Sequence, residues 1–466
     1  MAQNHFDLIV IGSGPAGEKG AAQAAYFGKK VALIEKSSNL GGAAANTGTL
    51  PSKTLRETAL FLSGFRQREL FGLDACLRER ASVQDFLRRE RHVKETERQR
   101  IAGNLGRHKV QLFNGTARFI DPHTVAVGEE TVLTGEFVLI ATGSRPYHPP
   151  AFPFGERDLF DSDTILDLDR IPASMLIAGG GVIGCEYACM FATLGIKITL
   201  VEAREQLLSF LDAEVSRVLK ERMIALGIEF RMPDSVLDVG RDDEGEQRGW
   251  RVALDSGESI VAETVLIASG RSGNTAELDL EKAGLRAGSR GQLCVNEHFQ
   301  TEVEHIYAAG DVIGFPSLAS ASMEQARLAM CHAFGLDYKS AMAPILPYGI
   351  YTIPEVSVAG LTEAEAREKG YDPVVGRARF AANARGQIIG ESHGFLKLVF
   401  DRGQMKLLGV HVLGESASEL VHIGLTAMLC GAGAELFIQT CYNYPTLSEA
   451  YKYATYDALG RRARGG

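Results

Sequence analysis

Two glycine clusters carry the residues whose types and spacing point to chemistry. Gly12-Ser13-Gly14-Pro15-Ala16-Gly17 follows a short apolar run at residues 6–12, and Gly179-Gly180-Gly181-Val182-Ile183-Gly184 follows a second at 175–178. Glycines at the first, third and sixth positions permit a tight turn and let backbone N–H groups approach a pyrophosphate at a helix N-terminus. Each cluster has an acid at the same distance: Glu35 lies 23 residues after Gly12, and Glu202 lies 23 residues after Gly179. A carboxylate at the end of the second strand of such a unit accepts hydrogen bonds from ribose hydroxyls. The repeat predicts two dinucleotide sites, one using Gly12, Gly14, Gly17 and Glu35, the other Gly179, Gly181, Gly184 and Glu202.

Positioning these residues requires a strand before each cluster, a helix after it and a second strand ending at the acid. The first copy supplies an Ala-rich helix and the strand 31–34, and the second a helix and the strand 197–201. The span 175–201 is long and apolar enough to raise the question of a membrane helix, but its glycines, Glu186 and Lys197 favour a buried βαβ unit. From about Pro347 onward, apolar strand patterns at 394–400 and 407–413 mix with helical patterns at 417–430 and 448–459, an α+β module.

A chain of 466 residues suggests three or four such units. Its formal net charge of -9 argues against nonspecific nucleic-acid binding, which depends on Lys and Arg. The densest basic stretch, 86–109, reads as a helix with Glu interleaved among its Arg residues and hence a solvated face. The polar start Met1-Ala2-Gln3-Asn4-His5 lacks the pattern of a secretory signal. Seven cysteines at 76, 185, 189, 294, 331, 430 and 441 form no CxxC and no metal-ligand grouping with His, so no metal is expected, and an odd, scattered set fits a reducing cytoplasm.

Further segments carry a family resemblance: Gly48-Thr49-Leu50-Pro51-Ser52-Lys53, Ala141-Thr142-Gly143-Ser144-Arg145-Pro146, Ala268-Ser269-Gly270-Arg271, Tyr307-Ala308-Ala309-Gly310-Asp311-Val312, Gly349-Ile350-Tyr351-Thr352-Ile353-Pro354-Glu355 and Asn443-Tyr444-Pro445-Thr446. Together they resemble the flavoprotein disulfide reductase superfamily over nearly the whole chain, and within it the soluble pyridine nucleotide transhydrogenases. The resemblance implies an α/β fold with two Rossmann-type nucleotide-binding domains, glutathione reductase-like, and an α+β C-terminal dimerisation domain. It implies an FAD-binding domain at 1–150 completed by 276–346, an NAD(P)-binding domain at 151–275 and an interface domain at 347–466. The implied cofactors are FAD and NAD(H), with NADP(H) as a further nucleotide, and the implied assembly is a homodimer without membrane insertion.

The resemblance also assigns residues. Gly42, Thr142, Gly143, Arg145, Lys36, Gly310 and Asp311 join the first nucleotide site, with Asp311 on the ribityl chain. Val182 and Gly270 join the second. Dithiol members of the superfamily place two cysteines where this chain has Ala44 and Thr49, and a methyl and a hydroxyl form neither a thiolate adduct nor a disulfide. Tyr444 stands at the position of the His that serves the interchange thiol, while the orienting acid persists as Glu449. Lys53 is expected near flavin N5 and paired with Glu186, a catalytic set completed by Thr49 and Tyr444. The implied reaction is hydride transfer from NADH to flavin, then to a second nicotinamide. Glu202 opposes a 2′-phosphate, with Arg204 offsetting part of that repulsion, so NADH is the favoured donor. An NADH oxidase or NADH:quinone or dye reductase, and a flavin-containing binding or sensing dimer, are the alternatives.

Overall fold

The computed structural model describes residues 4–65, 82–242 and 249–465, so Cys76 lies outside the described residues. β1 (His5–Ile11) has Leu8, Ile9 and Val10 without exposed surface, as suits a parallel strand covered on both faces. α1 (Pro15–Tyr26) returns the chain, so that β2 (Val31–Glu35) lies parallel to β1 with Ile34 opposite Ile11. α2 (Gly42–Asn46), α3 (Thr49–Ser63) and α4 (Val83–Arg107) follow, then β3 (Gln111–Asn114), β4 (Ala117–Asp121), β5 (Thr124–Val127) and β6 (Thr131–Ile140). These strands form a sheet in the order β3-β2-β1-β6-β5-β4.

The helix expected at 86–109 is α4, started by a capping box between Ser82 and Asp85. Its basic residues are partly engaged internally. Arg100 pairs with buried Glu18 at 3.1 Å, and Arg98 donates to Asn46 at 2.7 Å.

β7 (Ser144–Pro146) leads out of this unit to β8 (Leu159–Asp161) and β9 (Ser174–Ala178). α5 (Val182–Thr193), β10 (Lys197–Val201), α6 (Ala213–Ala225) and β11 (Glu229–Arg231) complete a second βαβ unit. A three-stranded antiparallel insert, β12 (Val236–Asp242), β13 (Gly249–Leu254) and β14 (Ser259–Ala262), precedes β15 (Thr264–Ile267). The all-parallel order is β11-β10-β9-β15-β8. The sequence reading did not anticipate the insert, whose edge strand β12 has no regular apolar alternation.

The chain then crosses back. β16 (Arg271–Gly273) pairs antiparallel with β7, and β17 (Ile306–Ala308) adds to the first sheet alongside residues 138–140 of β6. α7 (Ala319–Phe334) begins one residue from the Ser320 expected and packs on α1. The last portion is an antiparallel sheet, β18 (Tyr348–Ile350), β19 (Val356–Gly360), β20 (Pro373–Arg379), β21 (Phe395–Asp401) and β22 (Leu407–Leu413), ordered β18-β19-β22-β21-β20. Helices α8 (Glu363–Glu368), α9 (Ala384–Ile389), α10 (Ala417–Leu429), α11 (Ala434–Gln439) and α12 (Ala450–Ala463) accompany it. The helix expected from Ser448 starts later because residues Leu447–Glu449 form a 3₁₀ turn, which leaves Glu449 as the acid at the N-terminus of α12. Among the described residues no helix is long and apolar enough to cross a membrane.

A buried charge cluster ties the second unit to the last sheet. Lys397 on β21, with 2% of its side chain exposed, donates to both oxygens of Asp212 at 2.8 and 2.9 Å and lies 3.2 Å from Glu214. Arg377 on β20 also pairs with Glu214, at 2.7 Å. Burial pushes both carboxyls up, but Lys397 and Arg377 outweigh it and hold them below their usual range. Groups with depressed folded values stabilise the fold above the ordinary carboxylate range, and that stability is lost as pH falls through their folded values. Acid titration of thermal stability therefore shows a loss beginning below about pH 4. Lys397→Met alone costs about 3–5 kcal/mol because Asp212 is left buried and unpaired, whereas Lys397→Met with Asp212→Asn costs much less. Denaturant melts of the two variants check this, and equal losses would contradict it.

Candidate active site

The sequence repeat is also a geometric repeat. Gly12 has φ +101°, and a Cβ there would sit 2.4 Å from the Ala141 carbonyl oxygen. Gly179 has φ +113°, and its Cβ would sit 2.6 Å from the Ala268 oxygen. A Cβ on Gly17 would lie 1.9 Å from Gly12 O, and one on Gly184 would lie 1.9 Å from Gly179 O, so strand, turn and helix close only on glycine. The first N–H groups of α1 and α5 have no side-chain cap, which leaves them available to an anion. A Cβ on Gly181 would meet open space, so that turn is unobstructed. Gly14 faces Gly42, where an added Cβ would come within 2.8 Å of the Gly14 Cα.

The first unit fits a dinucleotide with a hydroxylated linker, as FAD has. The Thr142 Oγ1 is buried at the C-terminal end of β6 and has no partner among the described residues. Beside it, Gly143 has φ +68° and open space over its Cα. Gly310, at φ +83°, turns the chain after β17 into Asp311, whose Oδ2 accepts from the Ser144 hydroxyl at 2.8 Å. Two other expected residues are engaged at the surface: Lys36 pairs with Glu277 at 2.6 Å, and Arg145 reaches Asn274 at 3.5 Å. Gly270, at φ +102°, accepts the Tyr147 N–H at 2.9 Å.

The two acids begin alike and end differently. Glu35 Oε2 accepts from Ser13 N–H at 2.9 Å, as Glu202 Oε2 accepts from Gly180 N–H at 2.8 Å. Glu35 takes two further donors, the Ser13 hydroxyl at 2.6 Å and Ser37 N–H at 2.9 Å. Glu202 takes three more, all from Arg204: its N–H at 2.9 Å, Nε at 2.8 Å and Nη2 at 3.1 Å. A carboxylate offers about four lone-pair positions. Glu35 keeps one free, whereas Glu202 is saturated and charge-neutralised. Burial pushes Glu202 up, but the Arg204 and Gly180 bonds prevail and hold it ionised, below its usual value. The sequence expectation is that Arg204 offsets part of the Glu202 charge, and the structure places all three of these Arg204 donors on that carboxylate.

Lys53 and Glu186 meet where three parts of the chain converge. Lys53 Nζ, on α3, lies 2.7 Å from Glu186 Oε2 on α5, and Tyr351 N–H, after β18, donates to Glu186 Oε1 at 2.8 Å. The Lys53 ammonium also sits 4.9 Å from the centre of the Tyr351 ring. Glu186 is nearly buried, and Lys53 keeps 27% of its side chain exposed. Thr49 is exposed one helical turn before Lys53, and Val182 is half-buried at the start of the helix that carries Glu186. Tyr444 is not brought into this group within one chain: it is 75% exposed, and no hydrogen bond or ring contact among the described residues joins it to Lys53 or Glu186. Sequence reasoning missed Tyr351 as a partner of Glu186, because a backbone N–H leaves no mark on residue type.

The description "Pyridine nucleotide-disulphide oxidoreductase" matches residues 6–326, and its dimerisation domain matches 346–455. A soluble pyridine nucleotide transhydrogenase of Mycobacterium bovis is 48% identical over 98% of this chain and 97% of its own length. The chain belongs to the pyridine nucleotide-disulphide oxidoreductase family. A second relative named soluble pyridine nucleotide transhydrogenase, from Pectobacterium atrosepticum, is 42% identical over 98% of both chains. Among solved structures, an HOCl-induced flavoprotein disulfide reductase of Escherichia coli superposes with a TM-score of 0.88 at 27% identity, over 97% of this chain and 99% of that one.

Against the family name, this member has no redox disulfide among the described residues, where Cys185, Cys189, Cys294, Cys331, Cys430 and Cys441 are all free. Ala44 lies in α2, and Thr49 opens α3. Cys185 adjoins Glu186, but burial pushes its thiol far up, and burial also pushes Cys189 up to about 12. Neither is a thiolate at neutral pH. In native protein at mildly alkaline pH, iodoacetamide should label exposed Cys294 and leave the buried pair intact. Peptide mass spectra reporting fast labelling of Cys185 or Cys189 would remove the case for a thiol-free site.

Proposed function

We propose that the protein is an FAD-dependent pyridine nucleotide transhydrogenase that exchanges a hydride between NADPH and NAD⁺, or between NADH and NADP⁺, without a dithiol relay. The observation that carries this reading is Arg204 on Glu202. A transhydrogenase must admit nucleotides with and without a 2′-phosphate. An acid neutralised by a guanidinium that is itself about half exposed accommodates both, whereas an unpaired carboxylate repels the phosphate.

The first unit would hold FAD through the glycine turn, Glu35, Thr142, Gly143 and Asp311, and when bound the flavin supplies the hydride store between two nicotinamide visits. Everything else falls to the chain. The Gly179–Gly184 turn and the α5 N-terminus hold the nucleotide diphosphate, and Val182 borders the nicotinamide end. Lys53, fixed by Glu186, keeps a positive charge at the junction, where it favours arrival of negative charge. Ala44 and Thr49 provide no sulfur to divert the electrons.

Exposed Leu429, Leu436, Tyr444 and Tyr453 in the region matched to the dimerisation domain support a homodimer, since exposed apolar side chains are candidates for a contact surface. Six free cysteines among the described residues support a cytoplasmic setting.

With one nucleotide site serving donor and acceptor in turn, initial rates with NADPH and thio-NAD⁺ should give parallel double-reciprocal lines. Intersecting lines, or NADH consumption that needs only air, would replace this reading with a ternary mechanism or an oxidase. Arg204→Ala bares Glu202 and should raise the KM for NADPH about tenfold, given roughly 1.5–3 kcal/mol for a charge-assisted contact, with little change for NADH. Equal changes for both nucleotides would refute the role of Arg204. Lys53→Met should keep its flavin colour but slow reduction by NADPH by roughly tenfold or more, seen by stopped-flow absorbance.

A further inference from the structure

Arg271 is the first residue of β16, on the path by which the chain leaves the second dinucleotide unit, and it follows Gly270 directly. Its guanidinium is largely buried, and all three of its nitrogens donate hydrogen bonds. Nε donates to Ser144 Oγ at 2.8 Å, Nη2 to the Ser144 carbonyl at 2.8 Å, and Nη1 to Ser162 Oγ and Asp163 Oδ1, both at 3.2 Å. Ser144 in turn donates to Asp311. The direction of this chain is fixed by chemistry. Arginine has donors and no acceptor, so the Ser144 oxygen must accept from it, and the single hydroxyl proton is left to point at Asp311. One Asp311 oxygen is thereby occupied and oriented, and the other is presented in a defined direction.

The anchors of the relay lie on both sides of the domain boundary. Ser162 and Asp163 follow β8 of the second unit, and the Thr47 hydroxyl, just before α3, also reaches Asp163. Ser144 starts β7, which pairs with β16 so that Ser144 faces Gly273 and Pro146 faces Arg271. Upstream of Arg271, the Ala268 carbonyl packs against the Gly179 turn, and the Gly270 carbonyl accepts from Tyr147. A nucleotide seated on the Gly179 turn therefore bears on the same short segment that ends in Arg271.

We propose that Arg271 is a positioning residue that orients Asp311 through Ser144, and so makes retention of the flavin depend on occupancy of the second nucleotide site. This rests on the reading of the first unit as the FAD site. The relay is a mutual coupling: what the second site does to Asp311 is returned as an effect of flavin on nucleotide affinity.

The test follows FAD release from diluted holoprotein by the rise in flavin fluorescence, with and without saturating NADP⁺. Wild-type protein should release FAD more slowly when NADP⁺ is present. Ser144→Ala and Arg271→Gln should each release FAD about tenfold faster, the scale of one charge-assisted bond, and should lose the NADP⁺ effect. Arg271→Lys, which keeps the charge without the fork, should restore only part of the retention. If Arg271→Gln does not fold, as judged by far-ultraviolet circular dichroism, Ser144→Ala decides, because it removes one oxygen and alters no charge. Release from Ser144→Ala at the wild-type rate, with the NADP⁺ effect intact, overturns the proposal and leaves the transhydrogenase reading standing. Wild-type protein that purifies colourless and takes up no FAD overturns both.

Discussion

The pairing of Lys53 with Glu186 is the constraint on which the site depends. Glu186 is almost wholly withdrawn from water, and a carboxylate in that position persists only with a cation and donors on both oxygens. The cation comes from the helix that follows the first dinucleotide unit. The remaining donor is the Tyr351 N–H at the edge of the last sheet. One buried charge thus ties α3, α5 and the segment after β18 to one another. Shifting any one of them by an ångström or two would break a charge-assisted bond.

Around that point the two βαβ units are built from one plan and diverge in one detail. Both use a glycine at positive φ pressed against a neighbouring strand's carbonyl, and both use an acid to hold the N–H that follows it. In the first unit that acid retains a free lone pair. In the second, Arg204 takes what remains and leaves a near-neutral pair with a guanidinium half in solvent. Unit and repeat therefore share a fold and differ in the net charge left at the matching acid.

The absence of sulfur at Ala44 and Thr49 has a structural counterpart in the remaining cysteines. Cys185 and Cys189 sit on the helix of Glu186, close enough in sequence to invite a redox reading, but burial keeps them as thiols. They act as small apolar side chains that let α5 pack tightly. The same helix thus combines a charged residue that must be paired with two that are inert because burial outweighs the nearby Arg204 and Arg56 charges.

The sequence by itself determined the repeated strand-turn-helix units and the positions of Glu35 and Glu202, because close backbone approach tolerates only glycine and because the spacing of turn and acid is local. It also determined the loss of the dithiol, since residue type alone settles whether a sulfur is present, and it marked the strands at 394–400 and 407–413 to within a residue. The insert β12–β14 escaped because its edge strand is largely solvated and carries no alternation. Only the tertiary structure decided that Glu202 is saturated by Arg204, that Tyr351 closes the Glu186 shell, that Tyr444 stands apart within one chain, and that Arg271 reaches Asp311 through Ser144. Those facts depend on side-chain conformation and on which groups the folded chain brings into hydrogen-bond range. Hydrogen-bond capacity is a property of the assembled neighbours and of backbone atoms common to every residue, so composition and spacing carry no trace of it.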